Sequence, residues 1–65
     1  MDDIGPLIHF THEIDGRQYQ GRYRRLPGRR IEVATESKVH VTLIEADSLE
    51  VIARRVLEKL VRGEL

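Results

Sequence analysis

The chain has no cysteine and no tryptophan, and only one phenylalanine, two tyrosines and two prolines among its 65 residues. Without cysteine there is no disulfide framework and no thiolate zinc site. The uninterrupted apolar runs are two or three residues long, far short of a bilayer span. The first residues, Met1-Asp2-Asp3, are acidic and are not followed by the apolar stretch of a secretory leader. Neither sign of charge is in excess: 11 Lys and Arg balance 11 Asp and Glu. These absences exclude a secreted disulfide scaffold, a cysteine-bound zinc finger and a multi-domain enzyme. They leave a cytoplasmic single domain over residues 1–65 as the expectation.

Apolar residues make up 40% and charged residues 34% of the chain, which places it among folding rather than disordered sequences. A domain of this length buries only about 60% of the surface that its unfolded chain exposes. It has little volume for a deep, dry pocket, so a non-enzymatic role without a cofactor is expected, and self-association would help its stability.

Residues 1–6 read as a tail ending at Gly5-Pro6, and residues 7–45 as a β-meander. Ile8, Phe10, His12 and Ile14 alternate with Leu7, His9, Thr11 and Glu13, the period of a strand with one buried face. Asp15-Gly16 follows, a two-residue hairpin signal. Such a turn sets Ile14 opposite Arg17, His12 opposite Tyr19, Phe10 opposite Gly21 and Ile8 opposite Tyr23. Phe10 then covers a cross-strand glycine. Glu13–Gln18, Thr11–Gln20 and His9–Arg22 face each other on the polar side. Leu26-Pro27-Gly28-Arg29 fits a type II turn. Beyond it, Ile31 and Val33 share one face, and Val39, Val41 and Leu43 share one parity. A single strand over 31–43 would be about 43 Å long at roughly 3.3 Å per residue, twice its neighbours. A three-residue loop at Glu36-Ser37-Lys38 is therefore expected, pairing Ile31 with Leu43 and Val33 with Val41. A single bent strand is the alternative.

The last segment, 47–62, reads as an amphipathic helix. Asp47 is the expected N-cap with Glu50 three residues on, and Val51 is placed to staple against Ala46. Leu49, Ile52, Ala53, Val56, Leu57 and Leu60 form one apolar stripe. Glu50→Arg54 and Glu58→Arg62 make i,i+4 pairs, and Gly63 ends the helix. The expected fold is α+β: an antiparallel meander of three to four strands with one C-terminal amphipathic helix packed on one sheet face. The other face, including Leu7, Ala34 and Ile44, is left open to solvent or a partner.

The candidate site is a basic cluster. Arg17, Arg22, Arg24, Arg25, Arg29 and Arg30 lie within residues 17–30 with no acid among them, so the remainder of the chain carries the compensating negative charge. Arg22, Arg24, Arg25, Arg29 and Arg30 are candidates for phosphate contacts, with Gln18 and Gln20 for base edges. The same residues also read as a solvated surface that balances Glu13, Asp15, Glu32 and Glu36 and guards the sheet edge. His9 and His12 point to opposite faces of one strand and His40 is on another, so no metal site is expected. No catalytic triad, carboxylate pair or glycine-rich phosphate loop can be placed in one pocket. The leading expectation is a small binding or interaction module, self-associating through the open face or the edge of the fourth strand, or pairing with another protein. Nucleic-acid binding through the arginine-rich hairpin is the alternative.

The order Phe10, Asp15-Gly16-Arg17, Tyr19-Gln20-Gly21, Tyr23, Ile31, Val33, then Leu49-Glu50, Ile52-Ala53, Val56-Leu57 and Leu60-Val61 resembles small uncharacterised bacterial single-domain proteins. That resemblance implies a meander with a C-terminal helix and no particular activity. Gly21 to Arg29 is similar to the basic sheet of the plant-type AP2 DNA-binding domain, without that family's tryptophans. It implies DNA reading by the sheet.

Overall fold

The computed structural model describes residues 4–45 and 48–65. Four strands run in meander order: β1 (Ile8–Ile14), β2 (Arg17–Leu26), β3 (Arg30–Ala34) and β4 (Val39–Leu43). One helix, α1 (Leu49–Arg62), follows. The fold is the expected α+β arrangement, with α1 packed across β3, β2 and β1. Among the described residues no helix is long and apolar enough to cross a membrane.

The first hairpin forms as the turn chemistry requires. Asp15 and Gly16 both take positive φ, 52° and 81°, the backbone that a two-residue turn between twisted strands needs. This sets all seven predicted pairs, from Ile14–Arg17 to Ile8–Tyr23. The rings of Phe10 and Tyr23 meet edge to face at 5.7 Å. The second turn spans Pro27-Gly28-Arg29 between Leu26 and Arg30, which pair. Gly28 has φ 79°, a left-handed backbone that glycine enters without a Cβ penalty. Arg29 also has positive φ, 55°, a conformation the sequence does not advertise.

The third hairpin corrects the expected register. Thr35 N–H donates to Lys38 O at 2.8 Å, and Thr35 Oγ1 accepts from the N–H groups of Ser37 and Lys38. The loop is therefore Glu36-Ser37, two residues rather than three. Ile31 faces Thr42 and Val33 faces His40. A shift of one residue turns every side chain of a strand to the other face. Val39, Val41 and Leu43 thus point away from the helix, while His40 and Thr42 face it. Ile44 also turns inward and packs against the core, not onto the open face. The inversion is tolerated because α1 lies mainly over β3, β2 and β1, so β4 contributes little to the core.

The core is the predicted helix stripe against the inner sheet face. Ile31, Val33, Ala53 and Leu57 are fully enclosed, and Tyr23, Ile52, Val56 and Leu60 surround them. The predicted N-cap, Asp47, and the staple residue Ala46 lie outside the described residues. Ser48 is the N-cap: its side chain accepts from Val51 N–H, at 3.5 Å. Val51 is half-exposed. Glu50 does not reach back to the cap but pairs with Arg54 at 3.0 Å. At the other end Gly63, with φ 72°, donates to Leu60 O, and Glu64 N–H to Lys59 O. That is the left-handed C-terminal motif that favours glycine.

Candidate functional site

The outer face of the sheet is where the sequence candidates and the inverted fourth strand meet. Strand alternation and register arrange it in rows: His9–Arg22–Ala34–Val39, then Arg24–Glu32–Val41, then Leu26–Arg30–Leu43. Gln18 and Gln20 extend this face toward the first turn, opposite Glu13 and Thr11, and both are exposed.

The arginines do not all converge. Arg22, Arg24 and Arg30 share the outer face, and each is already engaged. Arg22 Nη1 donates to Thr35 O at 3.2 Å. Arg24 lies along Glu32: Nη2 donates to Oε1 at 3.4 Å, and Nε sits 3.0 Å from Oε2 outside hydrogen-bonding alignment, an electrostatic contact. Arg30 Nε donates to Pro27 O at 2.9 Å. Arg25 pairs with Ile31 and so belongs to the helix-side face, where it is exposed. Its carbonyl accepts from Gly5 N–H. Arg29 is exposed in the turn, and its carbonyl accepts from Ile44 N–H. Three of the five candidate arginines are thus brought together, with Gln18 and Gln20 beside them.

β4 supplies what sequence reasoning missed. Val39, Val41 and Leu43 are 60%, 41% and 59% exposed on the outer face. β4 is an edge strand, paired among the described residues with β3 alone. Its five residues, Val-His-Val-Thr-Leu, include no Asp, Glu, Lys or Arg. Thr35 was the available signal: a threonine two and three residues before chain N–H groups can close a tight turn with its hydroxyl.

The remaining concavities offer little chemistry. An open groove of about 560 Å³ runs between Gln18, Gln20, Thr35, Lys38 and Leu60. Lys38 Nζ within it donates to Leu60 O at 3.0 Å and so is held at the helix C-terminus, where a cation is favoured. His12 lies half-buried at the sheet end, 3.9 Å from Glu58. Among the described residues no three His, Asp or Glu side chains converge on a point where a metal ion could sit.

The fold and this face define a class no narrower than a four-stranded meander with a C-terminal helix. No family model, no curated protein and no solved structure matches the chain.

Proposed function

We propose that the chain is a small cytoplasmic, non-enzymatic interaction module that binds a protein partner, its own copy or another chain, through the β4 edge and the adjoining outer sheet face. One observation carries this reading: three aliphatic side chains stand exposed on an uncharged strand that, among the described residues, pairs with β3 alone. Natural sheets ordinarily blunt such an edge with lysine, proline or a bulge. A contiguous exposed apolar strip on a small domain marks a contact surface. Cross-linking capture with the wild type and with Val41→Lys tests it. Partners held by the wild type and lost by Val41→Lys support the reading; partners held equally by both overturn it.

A second reading is nucleic-acid binding by the same face. It is supported by Arg22, Arg24 and Arg30 lining one sheet surface beside Gln18 and Gln20. Against it, Glu32, Thr35 O and Pro27 O already occupy those arginines. A salt-dependent titration with short duplex and single-stranded DNA and RNA separates the two. Binding that falls steeply with salt and disappears when Arg22, Arg24 and Arg30 become Gln, but survives Val41→Lys, would put this second reading first.

A further inference from the structure

We propose that the partner of the β4 edge is a second copy of this chain, joined antiparallel about a two-fold axis at Val41 into a continuous eight-stranded sheet. The inference rests on the interaction-module reading above and names its occupant.

The hydrogen-bond phase of β4 comes first. Thr35 N–H donates to Lys38 O and Ile44 N–H to Arg29 O, so the backbone groups of Lys38, His40, Thr42 and Ile44 are turned toward β3 and its flanking turns. By strand alternation the N–H and C=O groups of Val39, Val41 and Leu43 point to the open edge. Among the described residues nothing bonds to these groups, so the residues that offer the edge its backbone hydrogen bonds are the residues with exposed aliphatic side chains.

That coincidence selects one register. With Val41 opposite Val41 of the second copy, Val39 lies opposite Leu43 of the second copy, and each such pair exchanges two backbone hydrogen bonds. All three free residues of each copy are then paired. A slip of one residue would oppose Val41 to Thr42 of the second copy, whose N–H and C=O already face β3. A slip of two would leave one of the three unpaired. In the centred register both helices lie on one side of the joined sheet, and six aliphatic side chains meet on the other. The contact is self-complementary, as a two-fold interface must be.

Charge agrees with the antiparallel sense. The first charged residues beyond the strand are Lys38 at its start and Glu45 just past its end. Antiparallel pairing brings the Lys38 end of each copy beside the Glu45 end of the other, whereas parallel pairing would set like beside like; the Lys38 ammonium itself stays on Leu60 O, so the ends attract without a direct ion pair. The opposite edge of the sheet contrasts with this one. β1 presents His9, Thr11 and Glu13 on its outer face and is preceded by Pro6, the polar and proline features that discourage strand addition. A five-residue edge buries less than the roughly 800 Å² per partner of a standard stable interface, so monomer and dimer exchange with concentration.

The test uses the intact chain. Sedimentation equilibrium of the wild type, from low micromolar to millimolar protein, should show the mass rising from 7.6 kDa toward twice that value. Val41→Lys should stay at the monomer mass and keep the melting midpoint that the wild type shows at low micromolar concentration, where the wild type is monomeric too. Because the chain has no cysteine, single thiols report the register. Val41→Cys should form a disulfide dimer on mild oxidation, since a hydrogen-bonded pair sets Cα atoms about 5.5 Å apart. Val39→Cys mixed with Leu43→Cys should cross-link, and each alone should not. Val51→Cys, exposed on the helix, is the control. A wild type that stays monomeric throughout, or a Val51→Cys that cross-links as fast as Val41→Cys, overturns the second copy as partner. If the wild type is monomeric yet Val41→Lys still loses a captured protein, only this inference fails and the edge reading stands.

Discussion

Phe10 lies so close over Gly21 that a Cβ at that position would stand 3.0 Å from Cε1 and Cζ of the ring and 3.2 Å from Leu57 Cδ1. The contact couples the β1–β2 register to the seating of the helix. Gly21→Val should cost about 1–3 kcal/mol by overpacking, read by chemical denaturation. An unchanged midpoint would mean that the ring does not sit over this position.

Leu57 is fully enclosed between the helix and the sheet, whereas Val51 on the same helix is 48% exposed. Leu57→Ala should therefore cost about 2–5 kcal/mol, transfer and cavity terms together. Val51→Ala should change stability by less than about 0.5 kcal/mol. Equal effects from the two would place the helix in a different rotation against the sheet.

The helix ends give a graded pair. The Ser48 cap bond is long at 3.5 Å, so Ser48→Ala should fall at the lower end of the usual range, about 0.5–1 kcal/mol. Gly63 holds φ 72°, which costs a residue with a Cβ about 1 kcal/mol or more. Gly63→Ala should thus destabilise at least as much as Ser48→Ala, and thermal melts of both decide it.

How much of this was legible in the sequence differs between the hairpins, for a physical reason. Asp15-Gly16 admits one turn geometry, so every β1–β2 pair follows from it. The loop at Glu36-Ser37-Lys38 is not so constrained. Two or three residues both close it, and Val-His-Val-Thr-Leu presents a clean alternation in either phase. What decides is Thr35, whose hydroxyl takes two loop N–H groups, and Lys38, whose ammonium reaches Leu60 O. The second of these depends on where the helix ends in space, which no local pattern encodes. The apolar strip at Val39, Val41 and Leu43 was hidden for the same reason, since a one-residue change assigns it to the core. The arginine cluster was visible as charge, but its engagement by Glu32, Thr35 O and Pro27 O is a property of the folded rows.

Thr35 can be tested directly. Thr35→Val keeps the shape of the side chain and removes the acceptor from the Ser37 and Lys38 N–H groups. Both are exposed and can turn to water, so the expected cost is modest, about 1 kcal/mol. Thr35→Ser keeps the hydroxyl and should be close to wild type. Equal losses from Val and Ser would show that the hydroxyl does not set the loop.

Glu32 separates the two readings of the outer face. It lies in the row between Arg24 and Val41, and its carboxylate is the partner of the Arg24 guanidinium. Glu32→Gln removes that charge while leaving the side chain the same length. Arg24 then has no ionic partner in its row, and the face gains one net positive charge beside Arg22 and Arg30. If the face binds phosphates, affinity for short duplex DNA or RNA should rise, and the salt slope should steepen by about one counterion. If β4 is the binding element, nucleic-acid affinity should stay negligible. The self-association measured by sedimentation should then change little, because Glu32 flanks the strip without belonging to it. A strong gain in nucleic-acid affinity with unchanged dimerisation would show that one small sheet carries two separable surfaces, the arginine rows and the aliphatic edge.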